Sequence, residues 1–155
     1  MALKKKDKPI KKVKPIIGKD DIADMPKFNL QNVNVKIDSG AYTSTIHCSD
    51  IEKTDKGLRV IFLDENESGY TGEYVYFEEY EKKKVRSSSG EMQLRYIIMG
   101  NIVLFGKKHS TEFTLSKRDL MRYPVLLGRK LLSNRFMIDT TLSNESYKHK
   151  TTITK

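Results

Sequence analysis

The sequence contains a single cysteine, Cys48, so no disulfide can close within the chain, and nothing points to an oxidising compartment. No apolar run approaches the ~18 residues that a membrane-spanning helix needs. The N-terminus is charged and lacks the apolar stretch of a signal peptide. The expected location is therefore cytoplasmic, with no membrane contact. Metal signatures are also missing: there is no His-Glu-x-x-His, no Cys-x-x-Cys and no clustered pair among His47, His109 and His149. Neighbours in a strand point to opposite faces, so His47 and Cys48 make a poor chelating pair. His47 reads as a packed or surface strand residue. No glycine-rich phosphate loop supports direct use of ATP. No metal site and no cofactor are expected.

Charge of one sign is abundant only at the ends. Residues 1–19 carry eight lysines and one aspartate, which is +7 of the formal +9, and Lys148, Lys150 and Lys155 add three more. Residues 20–147 are thus close to neutral. A phosphate-binding surface needs a basic excess on the domain itself, so nucleic acid is not the expected partner, and the lysine-rich arm reads as a solubilising tail. The 155 residues, 37% of them hydrophobic, fit one domain with tails. The expected boundaries are a disordered basic tail over 1–15, a folded domain over 16–143 and a flexible C-terminal tail over 144–155.

The body of the chain reads as strands. Ile16 and Ile17 open the first ordered strand. Phe28 to Ile37 alternates apolar and polar residues, the period of a strand with one buried face, and ends in a turn at Asp38-Ser39-Gly40. Thr43 to His47 alternates again. Gly57 to Leu63 and Tyr74 to Glu81 come next, the latter with aromatic cross-strand partners. Lys82–Arg86 and Met92–Ile98 flank the turn-forming Ser87, Ser88, Ser89 and Gly90, which predicts a hairpin. Ile102–Phe105 and Thr111–Leu115 predict a second. Ser116 can cap one helical turn. Pro124 to Gly128 is a short buried strand, Arg129-Lys-Leu-Leu starts a short helix, and Phe136 to Asp139 is the last strand. Many short strands and one or two brief helices indicate an all-β closed barrel.

Asp38 is the residue in this pattern that carries chemistry. An alternating strand (Val33, Val35, Ile37) delivers it to the strand's end, and a hydroxyl residue and a glycine come directly after it. Taken alone, Asp-Ser-Gly is common in ordinary turns. Its weight comes from two downstream segments in a fixed order: the glycine-bearing hairpin at Ser87 to Gly90, then Val125-Leu-Leu-Gly-Arg-Lys-Leu-Leu. That ordered set resembles the retropepsin-like aspartic peptidases, whose pattern is Asp-Thr/Ser-Gly-Ala, a flap hairpin, and apolar-apolar-Gly-Arg-x-Leu-Leu. The chain is similar, more closely, to a family named ATP-dependent zinc proteases that is associated with ATP-grasp peptide ligases. Ile16-Ile17-Gly18, Val35 to His47, Arg95-Tyr96, Phe113-Thr-Leu, Arg118 to Arg129 and Phe136 to Asp139 carry that likeness.

The resemblance implies a retropepsin-like fold and an aspartic endopeptidase. It implies a homodimer too, because the chain has one such aspartate and is too short for two matched lobes. Asp38 from each subunit would form the catalytic dyad. Ser39, Gly40 and Ala41 would shape its loop, with Leu127, Gly128 and Arg129 supporting it. Ser87, Ser88, Ser89 and Gly90, with Arg86 and Arg95, would form the flap and meet substrate. Pepsin-like enzymes often carry a serine donor where this chain has Ala41, so activity is expected at mildly acidic to neutral pH. Tyr42 and Thr43 stand where retroviral enzymes have acidic residues, which leaves Arg129 without its usual local partner. The substrate is a peptide or protein, and the basic residues around the flap suit an acidic, glutamate-rich one. Any ATP dependence belongs to a partner ligase. A non-catalytic peptide-binding or dimerisation module on the same fold is the alternative.

Overall fold

The computed structural model describes residues 13–86, 89–117 and 122–153. The chain is mostly β, with strands β1 (Ile16–Ile17), β2 (Asp20–Met25), β3 (Leu30–Ile37), β4 (Ser44–Thr54), β5 (Gly57–Phe62) and β6 (Val75–Phe77). β7 (Glu81–Arg86), β8 (Met92–Leu104), β9 (Lys107–Ser116), β10 (Val125–Leu127) and β11 (Met137–Ile138) complete the strands, and α1 (Arg129–Leu132) and α2 (Glu145–Ile153) are the helices.

The central sheet runs β10-β3-β2-β8-β9-β4-β5-β6, and β10 also pairs with β4. That extra pairing closes β10, β3, β2, β8, β9 and β4 into a ring, which leaves none of the six with two open edges. β3 and β4 flank the Asp38 turn, and β10 lies between them. It is parallel to β3 (Leu127 opposite Ile37) and antiparallel to β4 (Leu126 opposite Thr45). The ring is filled by Val33, Val35, Ile46, Leu115, Val125 and Leu127, all buried. At one side four phenylalanines interlock: Phe28 stacks on Phe62 at 4.3 Å and meets Phe77 and Phe113 edge-on.

Several expectations shift. Phe28 belongs to a 3-10 turn (Pro26–Phe28) rather than to β3, and its ring drops into the core. From Tyr74 to Glu81 only Val75–Phe77 pairs, with β5, before the chain enters β7. The two predicted hairpins share one long strand, β8, which pairs with β7 along its first half and β9 along its second. β9 ends at Ser116, and the helical turn expected beyond it falls mostly on residues 118–121, outside those described. β2 was not anticipated. Its buried positions are Asp21, Ala23 and Met25, so an aspartate faces inward while Ile22 is only half-buried.

The expected flexible tail at 144–155 is corrected: it contains α2, packed on β2. Both carboxylate oxygens of buried Asp21 accept N–H groups from the first turn of α2, Ser146 on Oδ2 at 2.9 Å and Tyr147 on Oδ1 at 3.0 Å. Such first-turn amides have no partner inside the helix, and Asp21 supplies one from a distant strand. Lys150 reaches Asp24 at 2.9 Å, and Asp20 accepts from the hydroxyls of Ser143 and Tyr123.

Candidate active site

Ile37 ends β3, and the next backbone amide continues the parallel ladder: Asp38 N–H donates to the Leu127 carbonyl at 2.9 Å. The chain then turns on Asp38 itself. Its carbonyl accepts Ala41 N–H at 3.1 Å, and its carboxylate Oδ1 accepts Gly40 N–H at 3.1 Å. The side chain is thereby oriented by its own loop. Asp38 is half-buried, while Ser39 and Gly40 are exposed.

The far side of the loop rests on α1. Arg129 N–H donates to the Ala41 carbonyl at 2.9 Å and Lys130 N–H to the Tyr42 carbonyl at 2.8 Å, so orphan amides of a short helix hold the loop. Gly128 N–H donates to the buried Ser44 hydroxyl at 3.1 Å. A Cβ on Gly128 would lie 2.5 Å from the Tyr42 carbonyl oxygen, so glycine is required by close backbone approach. Gly40 differs: a Cβ there would meet only Asp38 Oδ1, at 3.4 Å, and its φ is not positive. Among the described residues of one chain, nothing demands glycine at Gly40.

Among the described residues Arg129 forms no ion pair with a carboxylate. It is nonetheless engaged: Nη1 donates to the Ser39 carbonyl at 2.9 Å, and the guanidinium lies 5.8 Å from the centre of the Tyr42 ring. The structure thus brings Asp38, Ser39, Gly40, Ala41, Leu127, Gly128 and Arg129 into one unit. Ser44 is a member that the sequence reading missed. Its place two residues before buried Ile46 put it on the inward face, which is the signal that could have found it.

The expected flap residues lie on a separate element. β7 pairs only with β8 among the described residues, forming a two-stranded arm off the ring, with Arg86 opposite Met92. Ser89 and Gly90 are exposed at its tip; Ser87 and Ser88 lie outside the described residues. Arg95 is half-buried and donates from Nη2 to Gln93 Oε1 at 3.3 Å. Met92 and Leu94 leave 54% and 59% of their surface open, so the arm offers apolar area as well as charge. Tyr80 and Tyr96 pack edge-on at its root, 5.5 Å apart.

His47 and Cys48 are both buried. His47 Nδ1 donates to Glu67 Oε1 at 2.9 Å, which ties the 64–70 loop to β4. Burial pushes the Cys48 thiol far above its ordinary range, which keeps it from forming the thiolate that reactivity requires.

Comparison with known proteins places this geometry. The profile of a family described as the retropepsin-like aspartic endopeptidase RimB matches residues 16–149. The chain is 31% identical over 132 residues to a Shewanella halifaxensis protein named as a probable alpha-L-glutamate ligase. It is 30% identical over 146 residues to a Desulfotalea psychrophila protein of the same name. Each match covers 83% of this chain but 29% of the relative, so the chain spans under a third of those proteins. A crystal structure of a Legionella pneumophila protein of unknown function superposes with a TM-score of 0.68 at 23% identity, covering 85% of this chain and 98% of that one. That likeness concerns the fold.

Proposed function

The chain belongs to the family of RimB-like, retropepsin-like aspartic endopeptidases, and on that premise we propose that it hydrolyses peptide bonds as a homodimer, with one Asp38 from each subunit. The observation that carries this is the Asp38 loop. A half-buried carboxylate is held by its own turn, braced from below by β10 and α1, and flanked on the open side by Ser39 and a glycine that no described residue of its own chain requires. A second copy of the loop approaching across a twofold axis accounts for that glycine.

The chemistry derives from the pairing. Two carboxylates about 3 Å apart cannot both ionise and share one proton. The ionised member takes a proton from water as the oxygen attacks the scissile carbonyl, while the protonated member donates to that carbonyl's oxygen. Proton transfer to the leaving nitrogen then breaks the C–N bond. Arg129 would position the loop through Ser39. Relatives named as glutamate ligases, and the cations Arg86 and Arg95 with Lys82, Lys83 and Lys84 on the arm, favour an acidic, glutamate-rich substrate. They also favour a functional link to an ATP-grasp peptide ligase.

The test compares wild type with Asp38→Asn on glutamate-rich and neutral peptides, with sedimentation to report the dimer. Cleavage by the wild type alone supports the proposal. Equal behaviour of the two proteins replaces it with a non-catalytic peptide-binding module.

A further inference from the structure

Next to the Asp38 loop, on the side where α1 supports it, lies a cavity of about 460 Å³ lined by Tyr42, Arg129, Lys130, Ser133, Asn134 and Arg135. Three of the six are cations and none is acidic. Lys130 is neutralised by Glu112 at 3.0 Å. The two arginines are not: among the described residues each makes hydrogen bonds only to backbone carbonyls. Arg129 uses Nη1 on Ser39, and Arg135 uses Nη1 on Leu131 at 2.9 Å and Lys130 at 3.3 Å. A guanidinium carries five N–H donors, so these bonds fix the two side chains in place and leave donors to spare. Carbonyl oxygens orient the cations without cancelling their charge. The Ser133 hydroxyl and Asn134 amide add neutral donors. Tyr42, 57% exposed, forms the wall shared with the loop.

We propose that this cavity is a carboxylate-binding subsite for the peptide, with Arg135 and Arg129 as its charged donors. The inference rests on the peptidase reading and refines it: one acidic group of the substrate is recognised at the α1 side of the Asp38 loop, apart from any steering by the β7–β8 arm. Paired arginines suit a planar carboxylate because each can offer two parallel N–H groups. The carboxylate could be an acidic side chain or the free C-terminus of the peptide, and the experiment separates them.

Peptides sharing one cleavable core carry either Glu or Gln at each flanking position in turn, and either a free or an amidated C-terminus. The readout is the ratio of kcat/KM between each acidic peptide and its neutral twin, measured in wild type, Arg135→Gln and Arg135→Lys. In the wild type the favoured acidic peptide should lead by roughly tenfold, the worth of one charge-assisted contact. Arg135→Gln should bring the ratio close to one, mainly through KM, and Arg135→Lys should restore part of it. Loss confined to the Glu peptides identifies a side-chain subsite; loss confined to the free C-terminus identifies a terminal one. Because each ratio is taken within one protein, partial misfolding cancels. If Arg135→Gln cannot be recovered, Lys130→Glu places an opposing charge in the same cavity and should lower the ratio in the same way. Ratios near one in the wild type, or unchanged in the variants, overturn the subsite. If the wild type cleaves nothing, the same ratios are read as binding by fluorescence anisotropy. Discrimination there keeps the subsite while the peptidase reading falls, and no discrimination removes both.

Discussion

Two glycines beside Asp38 should respond oppositely to the same substitution. Alanine at Gly128 brings its Cβ to 2.5 Å from the Tyr42 carbonyl oxygen, 2.7 Å from its carbon and 2.9 Å from Thr43 C, all backbone atoms. Real Cβ contacts essentially never fall below 3.0 Å, so loop and helix must part by at least about half an ångström. That loosens the two bonds from Arg129 and Lys130 N–H to the loop, each worth about 0.5–1.5 kcal/mol net. Backbone dihedrals at Gly128, φ −97° and ψ 176°, suit any residue. The usual gain of about 0.4–1 kcal/mol from a stiffer unfolded chain therefore offsets part of the loss. We expect a net destabilisation of about 1–2 kcal/mol in urea titration. Activity should fall roughly tenfold or more, since an ångström of misplacement in a catalytic group costs on the order of 10²-fold. Gly40→Ala meets only Asp38 Oδ1 at 3.4 Å, so the single chain should be as stable as wild type or about 0.4–1 kcal/mol more so. The dimer and the activity should nevertheless be lost, because in the proposed homodimer the added methyl would lie where the second loop would approach. A Gly128→Ala protein matching wild type in stability and rate would refute the bracing argument. A Gly40→Ala protein that still dimerises and cleaves would refute the packing of two loops on an axis.

Two further predictions concern α2. Asp21→Asn keeps one acceptor but turns an NH₂ toward an amide that needs one, so it should cost about 1–3 kcal/mol, read from a shift in urea midpoint at constant slope. Unchanged stability would mean that Asp21 does not hold the helix. On acidification the carboxylates around α2 work against each other. Although burial opposes it, Asp20 is held below the usual carboxylate range by the hydroxyls of Ser143 and Tyr123, and Asp24 by Lys150 and the Asn32 amide. Their contribution is present above about pH 4 and is lost as pH falls further. Burial raises Asp21 despite the amides it accepts, so its contribution is complete at low pH and shrinks as pH rises through its raised value. Urea midpoints between about pH 6 and about pH 3 should therefore decline more steeply for Asp21→Asn than for wild type. Parallel curves would contradict the opposed signs.

Much of the site was legible because its logic is local. An alternating strand ending in Asp38-Ser39-Gly40 needs only the two-residue period of a strand and the turn chemistry of its end. Leu127-Gly128-Arg129 reads as a strand stopping against a helix for the same reason. Sequence could place Arg129 near the loop but not its partners, because the Ser39 carbonyl is brought to it from 90 residues away. The phase of β2 was illegible: a strand with Asp at three of six positions looks solvated, and only α2, more than a hundred residues later, gives Asp21 a reason to face inward.

By itself, then, the sequence determined the strand-rich class and the single Asp-Ser-Gly aspartate, and with that count the expectation of a second copy. These depend on residue type, spacing and number, which need no long-range contacts. The tertiary structure decided what surrounds that aspartate. It set β10 between β3 and β4, and it placed the backbone of Tyr42 against Gly128. It also set Tyr42 beside the arginines of the 129–135 segment around one cavity and brought α2 onto Asp21. Each of these joins groups far apart in the chain, and no local pattern encodes which distant carbonyl or amide will satisfy a given side chain.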